Sequence, residues 1–598
     1  MMNFFTAPKL ALLSSFIFVL SLFSSDALAL AKFNTNYQVY YKVEESGNTH
    51  VTFVISQKNN LSIVYATEFG ISLNETRINN LKVTDEGIKV EPNLVKNQNQ
   101  SVISFPFNRK VVGKDKVHNF TIEYDTPDIV SKQGNTWQID IPRFESDENV
   151  SEQTAILNLP SLFPPPAYID PKPDIVNGST YYFSSKILAN KPISAIFGKN
   201  QYYKGKLLYY LHNSSNVSLE TSITLLPNTT YQSVYYETIT PSPLRVEADS
   251  DGNLLAFYKL KPSQELNIET KVFVKTDFLP RLNNSTLNNP YTEANKIWNY
   301  DHNIFTIPEV KSLTSPKSIY DFITNKLKYD YQKINRNGTI RVPASDSLKN
   351  YQTAICTDYT DLFVSLIRKI NVPSRELEGL AISENPDLKP ISDVQDILHA
   401  WPEYYDKNRN LWIQVDPTWG STTRGLDYFN KLDFNHLVFA IHGQDPLLPL
   451  PAGSFKKPGS KDKDLEFESI EEIVFPENEI KVEIVKQTLT DTVFKVKNLN
   501  GVYLYGNLKV SESDLTESLS QELKTPPFGE TELNLKNKVL TGFATPQTEA
   551  IIDINGHNYS LPITNKNLFQ KTGFLALTGI FLGILTLLAR RLLLRRRK

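Results

Sequence analysis

Three residues of this chain carry side chains that together could break or transfer an amide bond: Cys356, His399 and Asp416. Cys356 is the only cysteine in 598 residues. A thiolate attacks an amide carbonyl, and an imidazole first takes the thiol proton and then returns one to the leaving amine. A carboxylate fixes the imidazole tautomer and supports its positive charge. Histidine suits the middle role because its pKa lies near working pH. A lone cysteine is more often a small buried hydrophobe, so the sequence around it must carry the case.

The elements that would position the three can be read from the spacing. After Cys356, the residues Tyr359, Leu362, Phe363, Leu366 and Ile367 fall on one helical face, and Asn371-Val372-Pro373 ends the run. The thiol then sits at a helix N-terminus, where unpaired N–H groups and the dipole favour a thiolate. His399 to Asp406 and Leu411 to Thr418 read as two strands around the polar turn Lys407-Asn408-Arg409-Asn410. An even loop pairs Asp406 with Leu411 and His399 with Thr418. His399 and Asp416 are then diagonal neighbours on one face, roughly 7–8 Å apart at Cα. The other seven histidines, His50, His118, His212, His302, His436, His442 and His557, lack such a paired-strand context and are read as structural or solvated. Upstream, Thr292 to Asn299 and Ser315 to Leu327 carry helical spacing through Ile319, Phe322, Ile323 and Leu327.

At these residues the chain resembles the transglutaminase-like superfamily, whose fold is related to papain. The matching motifs are Cys356 with Asp358-Tyr359 and a helix ending in Arg368; Val372-Pro373-Ser374-Arg375 with Gly379; His399-Ala400-Trp401 with Glu403; and Asp416-Pro417-Thr418-Trp419. Ser347-Leu348 fits the same domain, and the likeness covers about 289–445. It implies Cys356 as nucleophile, His399 as general base and acid, and Asp416 as its orienting partner. The family often has glycine shortly before the cysteine, where this chain has Ala354-Ile355. The backbone N–H of Cys356 is the expected oxyanion donor. Gln352 is either a second donor or a plain surface amide. Trp401 and Trp412 either line a substrate groove or pack in the core.

The rest of the chain frames this core. Short alternating β-segments with tight turns fill 32–155, as in Tyr37 to Val43 and His50 to Ile55 around Glu45-Ser46-Gly47-Asn48, and describe a β-sandwich-like domain. A proline cluster at 159–173 opens a second β-rich domain over 156–282. There Asp249-Ser250-Asp251-Gly252-Asn253 resembles the start of a calcium loop but lacks its spacing, and reads as a hairpin turn. After the core, 446–470 reads as a linker and 471–565 as a C-terminal β-domain. The fold class is therefore multidomain: two N-terminal β-sandwich-like domains, an α+β transglutaminase-like (papain-like) core, a C-terminal β-domain and one transmembrane helix.

The ends suggest where the chain works. Residues 1–29 combine Lys9, an apolar run and Ala27-Leu28-Ala29, the pattern of a signal peptide. Residues 573–589 are uncharged and precede Arg590, Arg591, Arg595, Arg596, Arg597 and Lys598. That pattern predicts a single-pass membrane helix with a cytoplasmic basic tail at 590–598, leaving the bulk of the chain extracytoplasmic. Asn-x-Ser/Thr triplets such as those at Asn60, Asn119 and Asn216 fall in that part. A net charge of −2 gives no basic excess for nucleic acid. No His, Cys and carboxylate cluster has metal-ligand spacing in the sequence, so neither metal nor cofactor is expected. The expected function is extracytoplasmic, cysteine-dependent acyl transfer or hydrolysis on protein or peptide amides through a thioester. The alternative is a non-catalytic surface protein using the same fold for binding or adhesion.

Overall fold

The computed structural model describes residues 32–595 except 97–99, 135, 143–149, 189–191, 282–290, 334–340, 384–388, 391–397, 424–425, 461, 539–546 and 565–567. The signal-like segment 1–29 lies outside the described residues. The chain divides into two units, 1–130 with 141–162 and 171–193, and 131–140 with 163–170 and 194–598.

The first unit is a β-sandwich. Phe33–Val43 and Thr49–Asn59 pair antiparallel along their whole length around a turn that uses Gly47 at φ 89°. They lie centrally in an eight-stranded sheet, and a three-stranded sheet packs on it. Alternation places Val39, Tyr41, Phe53, Ile55 and Phe120 inward. Phe69, from the smaller sheet, meets Phe120 at 4.7 Å between ring centroids.

In the second unit, a four-stranded sheet (Gln232–Thr240, Glu265–Asp277, Asn200–His212, Leu465–Ile470) faces a three-stranded one (Leu219–Leu225, Leu254–Leu260, Arg245–Ala248). Residues 465–470, within the stretch read as a linker, thus form a strand against Asn200–His212. Asp249–Asn253 closes a hairpin, with the Asp249 N–H donating to the Asn253 carbonyl at 3.0 Å. Two further sheets over 480–564 enclose Phe494, Val496, Leu508, Leu523 and Ile552.

The α+β region holds helices α1 (Pro316–Lys326), α2 (Ala344–Lys349), α3 (Cys356–Lys369) and α4 (Pro417–Thr422). Its sheet contains β1 (Ser374–Ala381), β2 (His399–Asp406), β3 (Leu411–Gln414) and β4 (His436–His442), in the order β3-β2-β1-β4, all antiparallel. Helix α3 packs Tyr359, Leu362, Phe363 and Leu366 into one core with Ile319 and Ile323 of α1. Thr292 to Asn299 forms no helix. Asn295 Oδ1 instead accepts the N–H groups of Ile297 and Trp298 at 2.9 and 2.8 Å, a local side-chain turn that outcompetes helix.

Strand β4 is an edge of its sheet, and polar side chains of the neighbouring β-domain cover it. The Gln232 amide donates to the Val438 carbonyl and accepts the Val438 N–H, both at 2.9 Å. Asn253 does the same at Ile441, at 2.8 and 2.7 Å. This satisfies an edge that would otherwise expose a row of unpaired backbone groups. On the other side of β4, Gly379 of β1 lies so close that an added Cβ would overlap the Leu437 carbonyl, at a register shift between Glu378 and Gly379. Gly379→Ala should therefore destabilise the core by about 1–3 kcal/mol, read as a lower urea midpoint with an unchanged slope.

A final helix, α5 (Leu568–Arg595), contains the segment 573–589. The transmembrane span expected there is not supported: among the described residues no helix is long and apolar enough to cross a membrane.

Candidate active site

Cys356 opens α3 and is buried. Asp358, at the third helical position, reaches back to accept the Ile355 N–H at 2.9 Å. It also accepts from Ser347 of α2 at 2.7 Å and pairs with Lys333 at 2.7 Å. A carboxylate in the first turn suits the helix dipole, and these three bonds fix the backbone that carries the thiol. The first N–H groups of α3 have no intrahelical acceptor, which makes the Cys356 N–H available for an oxyanion.

His399 opens β2 opposite Gly379. Asp406 pairs with Leu411, and the ladder runs to Glu403 opposite Gln414. It stops there, so His399 does not pair with Thr418. Asp416 instead caps α4, its Oδ1 accepting the N–H groups of Thr418 and Trp419 at 2.8 and 3.0 Å. Its other oxygen, Oδ2, meets His399 Nε2 at 3.1 Å. Proline at the first helical position, Pro417, enforces the turn from strand to helix. The imidazole stacks between Trp419 and Trp401, at 5.5 and 5.8 Å between centroids and within 24° of parallel.

The electrostatics follow from burial and pairing. Burial disfavours the imidazolium of His399, but the charge and hydrogen bond of Asp416, with smaller contributions from a hydrogen bond and the charge of Cys356, raise its pKa from 6.5 to about 9. Burial alone would raise Asp416, yet the His399 and His436 imidazoles hold it well below the usual carboxylate range. Since Nε2 of His399 faces Asp416, Nδ1 is the nitrogen left for the thiol. The fold thus brings Cys356, His399 and Asp416 together, though through a helix cap rather than a cross-strand pair.

The residues read from the sequence as substrate contacts are scattered. Trp401 is fully enclosed, donating from Nε1 to Gln414 at 3.2 Å, so it supports His399 and offers no surface to a ligand. Trp412 lies under the Arg375 guanidinium, 4.0 Å from its ring centroid, and lines a cavity of about 350 Å³ with Asp251, Tyr291 and Glu403. Gln352 is exposed.

Sequence reasoning missed His436. The first residue of β4, it is buried and places Nε2 3.3 Å from Asp416 Oδ2 and Nδ1 2.8 Å from Asp433 Oδ1. Ligand atoms of His399, Asp416 and His436 lie within 4.8 Å of one another, a spacing a metal ion could bridge and one the sequence does not reveal. The contacts present are those of an imidazole–carboxylate–imidazole chain. The one signal available was the Asp433-x-x-His436 spacing at the start of an apolar strand. His442, at the far end of β4, is also buried, with Nδ1 3.4 Å from Glu376.

Residues 305–417 match the model of the transglutaminase-like superfamily, a segment that contains all three triad residues. A comparison with the curated proteins finds no match. Among solved structures, the chain is similar to a candidate cysteine protease from Cytophaga hutchinsonii, at 17% identity over 47% of this chain and 94% of that one, with a TM-score of 0.31. It is also similar to the periplasmic domain of TgpA from Pseudomonas aeruginosa bound to ethylmercury, at 12% identity over 37% and 91% and a TM-score of 0.21. Red sea bream transglutaminase matches at 10% identity over 86% and 80%, with a TM-score of 0.16. The family match, with the geometry above, is what identifies a transglutaminase-like domain in this chain.

Proposed function

We propose that this domain carries out cysteine-dependent acyl transfer or hydrolysis on protein or peptide amides. Cys356 is the nucleophile, His399 the base and then the acid, and Asp416 the group that orients the ring. The observation that carries the reading is the His399 Nε2–Asp416 Oδ2 contact of 3.1 Å, made by a ring whose pKa the Cys356 thiol helps to raise. His399 Nδ1 takes the thiol proton, and sulfur bonds to the amide carbon. The carbonyl electron pair moves to oxygen beside the α3 N-terminus. As that pair returns, the C–N bond breaks, and the Nδ1 proton leaves on the amine. A thioester remains. Attack by a second amine forms a new amide, and attack by water forms an acid; either restores the thiol.

The place of action belongs to the same proposal. The signal-like N-terminus argues for work outside the cytoplasm. Leu577, Phe581, Leu585 and Leu588 of α5 are apolar and exposed, which favours attachment to a membrane. Proteolysis of intact cells should remove the 32–565 region if this is right.

The test is incubation of the chain with casein and a labelled primary amine, beside Cys356→Ala. Cys356-dependent amine incorporation marks transfer, and new fragments mark hydrolysis. Neither product, with a thiol no more reactive than free cysteine, would overturn the reading in favour of a binding module.

A further inference from the structure

We propose that His436 is a positioning residue of this site: clamped between two carboxylates, it holds Asp416 on His399 and keeps a fixed positive charge behind it. This rests on the roles given above to Cys356, His399 and Asp416.

A carboxylate offers about four acceptor positions. Asp416 Oδ1 takes the Thr418 and Trp419 N–H groups. Oδ2 faces two imidazole nitrogens, His399 Nε2 at 3.1 Å and His436 Nε2 at 3.3 Å. All four positions are filled, so the carboxylate cannot rotate without losing a bond. Without His436 the Oδ2 side would be held by His399 alone, the ring it is meant to orient.

The ring itself is equally constrained. Its two nitrogens face Asp416 Oδ2 and Asp433 Oδ1, and ionised carboxylates only accept. Both nitrogens must then carry a proton, which makes His436 an imidazolium. Asp433 is anchored in turn, accepting the Asn435 N–H at 2.9 Å on Oδ1 and the Tyr428 hydroxyl at 3.2 Å on Oδ2. The indoles that flank His399 also confine His436, with Trp419 and Trp401 at 4.6 and 4.9 Å between centroids. None of these side chains is exposed, so water does not screen the pair.

The charged and titratable groups facing His436 are Asp433, Asp416, His399 and Tyr428, with Lys389 and Lys431 near the far side of Tyr428. A cation at this point draws on the charge of Asp416, so less of that charge is left to lock the proton on His399. It also eases negative charge developing on the sulfur. Removing it should therefore raise the pH at which the site becomes reactive, together with the pH at which the His399 ring loses its proton.

Cys356 is the only thiol, so the pH dependence of iodoacetamide alkylation reads the site without a known substrate. Full-length wild type is compared with His436→Gln, His436→Phe and Asp433→Asn. Glutamine keeps a donor without the charge: the onset of alkylation should rise by about one pH unit, with the plateau rate within a few-fold of wild type. Phenylalanine removes both, and should add a fall of roughly 10–100-fold in the rate at pH 7, the worth of one charged hydrogen bond. Asp433→Asn leaves the ring and an accepting oxygen on Nδ1 in place but removes the negative charge that stabilises the second proton, and should raise the onset in the same direction. Intrinsic-fluorescence melts establish that each variant is folded; should His436→Phe unfold, the other two carry the test. Profiles that superpose on wild type, or that fall equally for all variants with no change of onset, would overturn the proposal. A wild-type thiol no faster than free cysteine at pH 7 would instead overturn the reading of the triad itself.

Discussion

Asp416→Asn should leave a folded protein whose Cys356-dependent turnover is about 10⁴-fold lower, the scale on which wrong-tautomer substitutions act in other nucleophilic triads. The amide can keep its oxygen on the Thr418 and Trp419 N–H groups, so the α4 cap survives. Its NH2 group then replaces Oδ2 and can donate one proton to Nε2 of His399 and one to Nε2 of His436. Every polar atom keeps a hydrogen-bond partner, so the protein should stay folded, with the lost counter-ion as the only cost to stability. The larger cost falls on chemistry. His399 must now accept at Nε2, which places its own proton on Nδ1, facing the thiol it should deprotonate. Asp416→Ala is the contrast: it should lose similar activity and unfold more easily still, because it also loses the cap, worth about 1 kcal/mol, and leaves two buried imidazole nitrogens without a partner. Single-turnover measurements with matched melts separate the two. Asp416→Asn within tenfold of wild type would mean that this carboxylate does not set the tautomer.

The parts of this site that were legible in the sequence are those held by local patterns. Cys356 heads an amphipathic helix whose apolar spacing is visible residue by residue, and Lys407-Asn408-Arg409-Asn410 fixes the β2–β3 register at Asp406 and Leu411. What was not legible is set by tertiary geometry. Asp416 reaches His399 because Pro417 turns the chain into a helix after Gln414, and alternation along a strand cannot foresee that turn. His436 comes from β4, which joins the sheet on the far side of β1 from β2, so no reading of the β2–β3 hairpin alone could include it. The cover on that edge, Gln232 and Asn253, comes from a different β-domain, and a lone amide in a polar stretch carries no mark of such a partner. Trp401 and Trp412 look alike in sequence, two aromatics in neighbouring strands. One is sealed beneath His399 while the other lies against Arg375 beside a cavity.

The core should be markedly less stable at pH 9.5 than at pH 6.5. Three buried imidazoles, His399, His436 and His442, all have pKa values raised from 6.5 to about 9. Burial opposes the charge in each, and it is outweighed by Asp416 for His399, by Asp433 with Asp416 for His436, and by Glu376 with Glu378 for His442. Each proton held in the folded state and released on unfolding contributes stability that is complete below the unfolded value near 6.5 and lost as pH rises through about 9. For one independent group the loss is roughly 3 kcal/mol at 1.36 kcal/mol per unit. His399 and His436 share Asp416, so their contributions do not add in full. His442 belongs to a separate cluster with Glu376 and Arg341, and gives the cleaner measurement. Asp416 works in the opposite sense: its depressed pKa gives stability that is present above the unfolded carboxylate value and lost as pH falls below about 4. Four of the five tryptophans, Trp298, Trp401, Trp412 and Trp419, lie in this region and report its unfolding. Urea midpoints followed by their fluorescence should fall between pH 6.5 and 9.5. His442→Gln should flatten that slope by about one proton while leaving thiol reactivity near the wild-type value. A midpoint independent of pH across this window would mean that the three rings are neutral in the folded protein, and that the carboxylates beside them are not holding their protons.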